Sequence, residues 1–293
     1  MTETPTIGWP APAKLNLFLH ITGRRGDGYH LLQTVFQLLD VGDELQFRIT
    51  QDGMIVREYD LPGVVAEADL VVRAAQALQA HCQTTCGAVI QLHKNLPAGG
   101  GLGGGSSDAA TTLVALNQLW ECGLTPVELA QLGLQLGADV PVFVHGHSAW
   151  AEGVGERLEA IDLPERWFVV LAPAVTVSTP KVFSEPQLIR DCPPITIRDF
   201  LTGRGQNVCE PVVCAQYPEV AAALKALSHF APARLTGTGA CVFAAFDAEQ
   251  DARHAWAELA GQWQGFVAKG LNTSPLLAKL QQVSKDFWGV AKR

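Results

Sequence analysis

The sequence predicts an α+β fold of two domains, in which strands and helices alternate in α/β layers. The 293 residues, of which 48% are hydrophobic and 17% charged, can bury the core of one large or two ordinary domains. Short apolar runs typical of strands alternate with amphipathic helical patterns, without repeats or low-complexity tracts. A polar, glycine-containing stretch at 153–166 predicts the boundary, which gives domains 1–158 and 159–293.

Apolar-rich segments bounded by polar or turn residues predict the strands of this fold. The segments are 15–21, 45–49, 88–93, 140–145, 167–173 and 240–246.

Two segments between these runs have clear helical patterns. "SDAATTLVALNQLW" places apolar residues on one face, with Ser106 or Ser107 available as N-cap. "TPVELAQLGLQLG" predicts a helix capped by Thr125, with Glu128 completing a capping box and Gly137 ending the helix.

Composition excludes several classes of protein. A formal net charge of −8 without a Lys/Arg run argues against a nucleic-acid partner. The most apolar run, 167–175, is too short to span a bilayer, and the opening residues lack the pattern of a signal peptide, so we expect a cytoplasmic protein without a membrane partner. Seven cysteines without CxxC spacing argue against a disulfide framework or a zinc site. The sequence leaves the oligomeric state open.

The stretch "LPAGGGLGGGSSDAA" at 96–110 has six glycines in seven positions. Glycine loses much backbone freedom on folding, so a run this dense indicates that something approaches the backbone closely. Bare N–H groups leading into a helix N-terminus suit a phosphate. A flexible linker seldom runs straight from a strand into a capped amphipathic helix. The run lacks the tight strand-to-helix turn of a dinucleotide-binding loop and the lysine of a Walker A loop.

Four motifs in order resemble the GHMP small-molecule kinases, over about residues 9 to 275. They are the glycine stretch, "APAKLNLFLHITGRRGDGYH" (11–30), "LGADVPVF" (136–143) and "RLTGTGACVF" (234–243). The resemblance implies the GHMP kinase fold, a ribosomal-protein-S5-like N-terminal domain followed by a ferredoxin-like domain. It implies ATP bound by the glycine loop, at Pro97, Ala98, Gly99, Gly100, Gly101, Leu102, Gly103, Gly104, Gly105, Ser106 and Ser107.

The doubled glycine triplet is similar to one branch of this family. The resemblance to that branch implies phosphorylation of the 2-hydroxyl of 4-diphosphocytidyl-2-C-methyl-D-erythritol in the non-mevalonate route to isoprenoids. Both partners of the protein would then be small molecules.

Two charged residues stand out as catalytic candidates. Asp139 is flanked by apolar residues just past a predicted helix, where it either caps a turn or acts as a base. Lys14 is a lone cation in an apolar strand, where a solvated edge lysine is the ordinary explanation. The resemblance implies that Asp139 accepts the proton of the substrate hydroxyl and that Lys14 stabilises the phosphoryl group in transfer.

The substrate-binding candidates lie in several motifs. Asn16 shares a strand face with Lys14 and is placed to hydrogen-bond a polyol. The resemblance implies that Tyr29, His30 and Phe183 recognise the cytosine, by stacking and by hydrogen bonds to the base edge. It also implies substrate contacts from Asp139, Thr179 and Gly239.

The sequence departs from the family pattern in three places. Asp69 stands where asparagine is usual near the adenine, and we still expect it among the ATP-binding residues. Asp108 stands where asparagine follows the two serines. A carboxylate at position 108 would repel phosphate unless it points away or helps to hold magnesium. The stretch 206–212 keeps Asn207 and Glu210 without an evident role. No pair of metal-ligand carboxylates is apparent, so we expect Mg²⁺ to arrive with ATP.

Other functions stay open at this point. A kinase for another small alcohol, such as homoserine or mevalonate, would lack the cytosine-reading group. A catalytically silent nucleotide-binding module would not need Lys14 and Asp139, and an NAD-dependent oxidoreductase would need a βαβ context that is missing.

Overall fold

Two long strands, β1 (Trp9–Arg24) and β2 (His30–Thr50), form an antiparallel hairpin from which the rest of the sheet extends. The computed structural model of the chain describes residues 8–26, 28–61 and 63–290. β2 has 21 residues, which is long enough to pair along different parts of its length with β1 and with three further strands. The hairpin therefore fixes the position of most of the sheet.

Within the described residues the sheet has ten strands. The other strands are β3 (Ile55–Arg57), β4 (Gly87–His93), β5 (Ala149–Gly153), β6 (Arg157–Ala160), β7 (Trp167–Leu171), β8 (Ala233–Leu235), β9 (Val242–Phe246) and β10 (Gly265–Leu271). The main order is β3-β4-β2-β10-β7-β9-β8, with β1 and β5 also paired to β2 and β6 paired to β5. All pairs are antiparallel except β3 with β4. The division at 158/159 stays a prediction.

Helices cover the sheet and enclose its apolar side chains. They are α1 (Leu70–Cys82), α2 (Gly104–Leu119), α3 (Pro126–Leu134), α4 (Val140–His145), α5 (Thr179–Ser184), α6 (Ile197–Leu201), α7 (Glu210–Gln216), α8 (Pro218–Leu227), α9 (Glu249–Leu259) and α10 (Pro275–Val290). One core lies between the first strands and α1 to α4, and a second joins β7 and β9 to α7, α8 and α9. The predicted α+β class is confirmed.

Five of the six predicted strand segments lie in strands, and the sixth is wrong. Residues 140–145 form helix α4, in which Val140 to Val144 are all buried. A short apolar run without alternation suits a buried helix as well as a buried strand. Pro141 falls in the first turn of this helix, a position that proline favours.

The two predicted helices are present, but their ends differ from the prediction. Gly103, not Ser106 or Ser107, is the N-cap of α2. The capping box at Thr125 and Glu128 is formed, with both reciprocal hydrogen bonds. The same helix ends at Leu134, before the predicted stop at Gly137.

The apolar helices of this fold are short. In the part of the chain that the structure describes, no helix combines the length and the apolar character that crossing a bilayer requires.

Replacing Thr125 by Ala tests the capping box that starts α3. The Thr125 hydroxyl accepts a hydrogen bond from the Glu128 backbone N–H at 3.3 Å. Loss of this cap should lower the free energy of unfolding by about 1 kcal/mol, measured by urea denaturation. Thr85→Ala, at an exposed loop position, is the matched control. Equal losses in the two variants would show that the cap contributes nothing specific.

Candidate active site

The ammonium group of Lys14 is buried where strand β1 passes the glycine loop. Its side chain is 3% exposed. Nζ donates to Asn16 Oδ1 at 2.5 Å and to the Gly101 carbonyl at 3.1 Å, and it lies 3.2 Å from Asp139 Oδ2. Two of the three donors of the ammonium group therefore form hydrogen bonds, and the Asp139 carboxylate adds a salt bridge. The alternative of a solvated edge lysine is wrong.

Asp139 approaches Lys14 from the other side of the site. It directly precedes α4, so the packing of that buried helix fixes its backbone. Its side chain keeps 33% of its surface exposed. A carboxylate that touches a buried cation and still faces solvent can meet a ligand hydroxyl group.

One cavity of about 760 Å³ contains this ion pair and half of the predicted site residues. Among the described residues that line it, Asp139 is the only carboxylate. The predicted residues on its wall are Lys14, Asn16, Tyr29, His30, Gly101, Gly103, Ser106, Asp139, Thr179 and Phe183. The fold therefore brings the glycine loop, the charged pair and the aromatic group to one cavity.

The glycine loop is packed into the fold and is not a free linker. Gly101 and Gly103 have φ values of +74° and +73°, which favour glycine. A Cβ at Gly101 would lie 2.3 Å from the Thr236 carbonyl oxygen, and one at Gly103 would lie 2.8 Å from the Phe143 ring. Glycine is thus required here both by backbone conformation and by close packing.

The rest of the predicted ATP loop lies on both sides of these two glycines. The Leu102 side chain is buried and its carbonyl accepts the Lys14 backbone N–H at 3.0 Å. Gly104, Gly105, Ser106 and Ser107 form the first turn of α2, whose leading N–H groups have no partner within the helix. Pro97, Ala98, Gly99 and Gly100 precede the turn, and the Gly99 and Gly100 carbonyls accept the backbone N–H groups of Ala240 and Cys241.

The third glycine motif closes the cavity beside Asn16. The Asn16 backbone N–H donates to Thr236 Oγ1 at 3.0 Å, and its side-chain amide donates to Thr34 Oγ1 at 3.0 Å. Gly237 and Thr238 line the cavity, whereas the predicted Gly239 does not. Gly239 instead forms a turn, donating its N–H to the Thr236 carbonyl at 2.9 Å.

Asn207 and Glu210, which had no evident role in the sequence, support that motif from behind. Asn207 Nδ2 donates to the carbonyls of Leu235 and Gly237, both at 2.8 Å. Glu210 Oε2 accepts the Leu235 backbone N–H at 2.8 Å. Both residues therefore hold the backbone of the cavity wall.

The predicted cytosine-reading residues meet at the end of the β1–β2 hairpin. The rings of His30 and Phe183 stack, with centroids 5.0 Å apart and an angle of 19° between planes. Tyr29 is 65% exposed beside them. The Thr179 hydroxyl lies 2.8 Å from the Thr238 hydroxyl and links this group to the third glycine motif.

Asp69 lies outside the cavity lining, and its carboxylate is fully engaged. It caps α1 by accepting the Val71 N–H at 2.9 Å, pairs with Arg57 at 3.1 Å and accepts the Tyr59 hydroxyl at 2.5 Å. Burial and this hydrogen bond raise the pKa of Tyr59. The predicted adenine contact of Asp69 stays a prediction.

Asp108 points away from the cavity into a second buried ion pair, which sequence reasoning missed. Lys94 Nζ contacts Asp108 Oδ2 at 2.8 Å and also contacts Asp43 Oδ2. Burial and the neighbouring Asp43 carboxylate raise the pKa of Asp108 to about 7 against the opposing effect of Lys94. The Lys94 ammonium group thus offsets the charge of the Asp108 carboxylate next to the glycine loop.

The cavity holds a buried lysine next to an acidic residue at the N-terminus of α4, and this combination indicates a class of protein. Anion-binding N–H groups, a cation and a carboxylate base that share one cavity are what phosphoryl transfer to a small hydroxyl compound requires. The fold and site define a small-molecule phosphotransferase.

Comparison with known proteins agrees with this class and refines it. The GHMP kinases N terminal domain matches residues 69–147, and the GHMP kinases C terminal domain matches residues 195–265. A 4-diphosphocytidyl-2-C-methyl-D-erythritol kinase of Nitrosococcus oceani is 60% identical, over 94% of this chain and 98% of the relative. The enzyme of that name from Shewanella halifaxensis is 53% identical over 96% and 100%. The chain belongs to the GHMP kinase family.

Solved structures agree in fold. A 4-(cytidine 5'-diphospho)-2C-methyl-D-erythritol kinase superposes with a TM-score of 0.78 at 30% identity, over 90% of this chain and 99% of the other. A homoserine kinase from Cytophaga hutchinsonii gives 0.66 at 17% identity, over 94% and 97%, which shows the shared fold alone.

Replacing Asp108 by Asn tests the buried ion pair. Because its pKa is raised in the folded protein, Asp108 stabilises the fold at low pH, and this contribution is lost as the pH rises toward about 7. Wild type should therefore lose stability relative to Asp108→Asn up to about pH 7, with little further change above it. Urea midpoints across this range measure the difference. A difference that does not vary with pH would contradict the raised pKa.

Proposed function

We propose that this protein transfers the γ-phosphoryl group of ATP to the 2-hydroxyl of 4-diphosphocytidyl-2-C-methyl-D-erythritol. The pair formed by Lys14 and Asp139 carries the proposal, since it shares one cavity with the glycine loop and the His30–Phe183 stack. The names of relatives at 53–60% identity, over nearly the whole chain, support the same substrate.

Asp139 is the proton acceptor in this proposal. The substrate hydroxyl oxygen attacks the γ-phosphorus, the bond to ADP breaks, and the hydroxyl proton passes to Asp139. Lys14 lies 3.2 Å from Asp139 and stabilises the charge on the phosphoryl group in transfer. Asn16 orients Lys14 through its Oδ1 atom.

In this proposal the phosphates of both substrates are bound by positive charge inside the cavity and not by a basic surface. The chain has a formal net charge of −8. The N-terminal N–H groups of α2 and Lys14 supply a positive potential confined to the cavity. Asp139 pairs with Lys14, and two acids outside the cavity lining are paired as well, Asp108 with Lys94 and Asp69 with Arg57.

Magnesium arrives with ATP in this proposal. The described residues hold no group of three or more acidic, histidine or cysteine side chains placed to bind a metal ion. Mg²⁺ commonly keeps substrate phosphates and waters as ligands and takes only one or two protein carboxylates. Asp139 and Ser106 are two oxygen-bearing side chains of the cavity lining that could serve as such ligands. Bound there, Mg²⁺ would neutralise phosphate charge.

The cytosine assignment separates this substrate from other small alcohols. His30 and Phe183 offer an aromatic face and a polar edge at the cavity wall, which a homoserine or mevalonate kinase would not need. A silent nucleotide-binding module would not need a buried lysine matched to an acid in the same cavity. Both substrates are small molecules, and we place the reaction in the cytoplasm, where seven cysteines without pairing spacing are ordinary.

Asp139→Asn should abolish most turnover. Asparagine keeps the size and can still accept a hydrogen bond from Lys14, but it cannot take a proton. We expect kcat to fall by roughly 10²–10⁴ with little change in ATP binding. ADP release measures the rate, and Asp247→Asn, at an exposed aspartate paired with Arg166, is the control. Near-normal turnover would remove Asp139 from the mechanism.

The uridine analogue should be a markedly poorer substrate than the cytidine compound, by about tenfold or more in kcat/KM. It presents a carbonyl where cytosine has an amino donor. His30→Ala should bring the kcat/KM values for the two substrates closer together. Phe183→Ala should weaken binding of either substrate by roughly 1–3 kcal/mol. Neither substitution should change the KM for ATP. Phe230→Ala, at a partly exposed phenylalanine outside the cavity, is the control. Equal use of both substrates by wild type would favour a kinase of another small alcohol.

A further inference from the structure

Arg190 joins the loop after α5 to the first residue of β2. Its Nε donates to His30 Nε2 at 3.3 Å. Its terminal nitrogens donate to the carbonyl oxygens of Leu188 at 2.9 Å and Glu185 at 2.6 Å in this loop, and of Phe183 at 2.8 Å in α5. Among the described residues no carboxylate forms an ion pair with it. Arg190 therefore contacts both residues of the His30–Phe183 stack, the imidazole of His30 and the backbone carbonyl of Phe183.

The contact with Arg190 fixes the protonation of His30. A guanidinium group can only donate, so His30 Nε2 must accept and cannot carry a hydrogen. The imidazole is then neutral with its hydrogen on Nδ1. Burial, Arg190 and Arg24 all lower the pKa of His30, which agrees with a neutral ring.

We propose that Arg190 is a positioning residue for base selection, which holds His30 as the Nδ1–H tautomer and fixes Phe183 against it. This inference rests on the proposed cytidine substrate. Phe183 and His30 are brought together from distant parts of the chain, and Arg190 is the side chain that contacts both.

The tautomer decides which base His30 accepts. No described residue accepts a hydrogen bond from His30 Nδ1, and the side chain lines the cavity. A donor at Nδ1 suits a ring nitrogen that carries no hydrogen, as N3 of cytosine does. Uracil carries a hydrogen at N3, so two donors would face each other. The opposite tautomer of His30 would reverse this preference.

Nitrogen NMR of the free wild-type protein tests the tautomer without any substrate. With ¹⁵N-labelled histidine, and His30→Gln to assign its signals, His30 should show a protonated Nδ1 and an unprotonated Nε2 at neutral pH. A protonated Nε2 would overturn the inference. Since no substrate is present, this result is independent of the proposed function.

Arg190→Met tests the effect on selection. It keeps the aliphatic length and removes the donors, so His30 becomes free to adopt either tautomer. The ratio of kcat/KM for the cytidine substrate to that for the uridine analogue should fall by about tenfold, with the KM for ATP unchanged. A merely structural role would lower both values alike and leave the ratio unchanged, which would refute the proposal. Arg204→Met, at an exposed arginine paired with Asp199, is the control.

The ratio should also recover with acid in Arg190→Met. Removing Arg190 takes away a charge that lowers the pKa of His30, leaving Arg24 as the facing cation. As the pH falls through the ordinary histidine value of 6.5, the imidazolium form regains a hydrogen on Nδ1. The ratio should then rise in the variant and stay flat in wild type, and a flat ratio in the variant would contradict the tautomer mechanism.

A second substitution at Arg190 and the two independent measurements distinguish failure of this inference from failure of the proposed function. Should Arg190→Met fail to fold, Arg190→Lys retains the charge without the fork of donors and is expected to lower the same ratio. Equal use of both bases by wild type, together with the expected NMR tautomer, would defeat the cytidine assignment alone. The other tautomer in a wild type that prefers cytidine would defeat only the role of Arg190.

Discussion

The buried ammonium of Lys14 is the interaction on which the site depends. Burying a charge is unfavourable unless it is paired and hydrogen-bonded. Here a strand neighbour, a loop carbonyl and the acid before α4 supply one oxygen each. The three acceptors come from separate parts of the chain, so the cation aligns the strand, the glycine loop and Asp139 in a single arrangement. The close packing of Gly103 against the Lys14 side chain, where a Cβ would lie 3.0 Å from Cε, preserves that arrangement.

The chain has a net negative charge but can still bind anions, because the acidic side chains near the glycine loop form ion pairs. Lys94 lies between Asp43 and Asp108, and Arg57 pairs with Asp69. Asp43 also accepts two backbone N–H groups just before the glycine loop, from Asn95 at 2.6 Å and Leu96 at 2.8 Å. These contacts leave one carboxylate facing the cavity among the described residues, that of Asp139, which is the base in our proposal.

The sequence was sufficient for five of the strands, for helices α2 and α3, and for the residues whose type was unusual in their surroundings. Lys14 and Asp139 stood out as lone charges among apolar residues, but only the fold brings them within 3.2 Å. Helix α4 was missed because burial on all sides erases the period that separates a helix from a strand. The orientation of Asp108 depends on Lys94, and that of His30 on Arg190. Neither partner could be foreseen, because a charged residue in a loop has no pattern that reveals its contact.

The residues that we propose for base selection and for catalysis lie partly on the same β1–β2 hairpin. Lys14 and Asn16 lie on β1 opposite Leu38 and Phe36, while His30 opens β2 opposite Arg24. The distance between these two groups of residues is therefore set by the register of one strand pair. A slip of one residue would turn the side chains of a strand to its other face. The irregularities of pairing between Asn16 and Leu19 and between Ile21 and Gly23 lie between the two groups of residues. Each irregularity places an extra residue on β1, whereas His30, Leu32, Thr34 and Phe36 follow one another at alternate positions of β2 and all line the cavity.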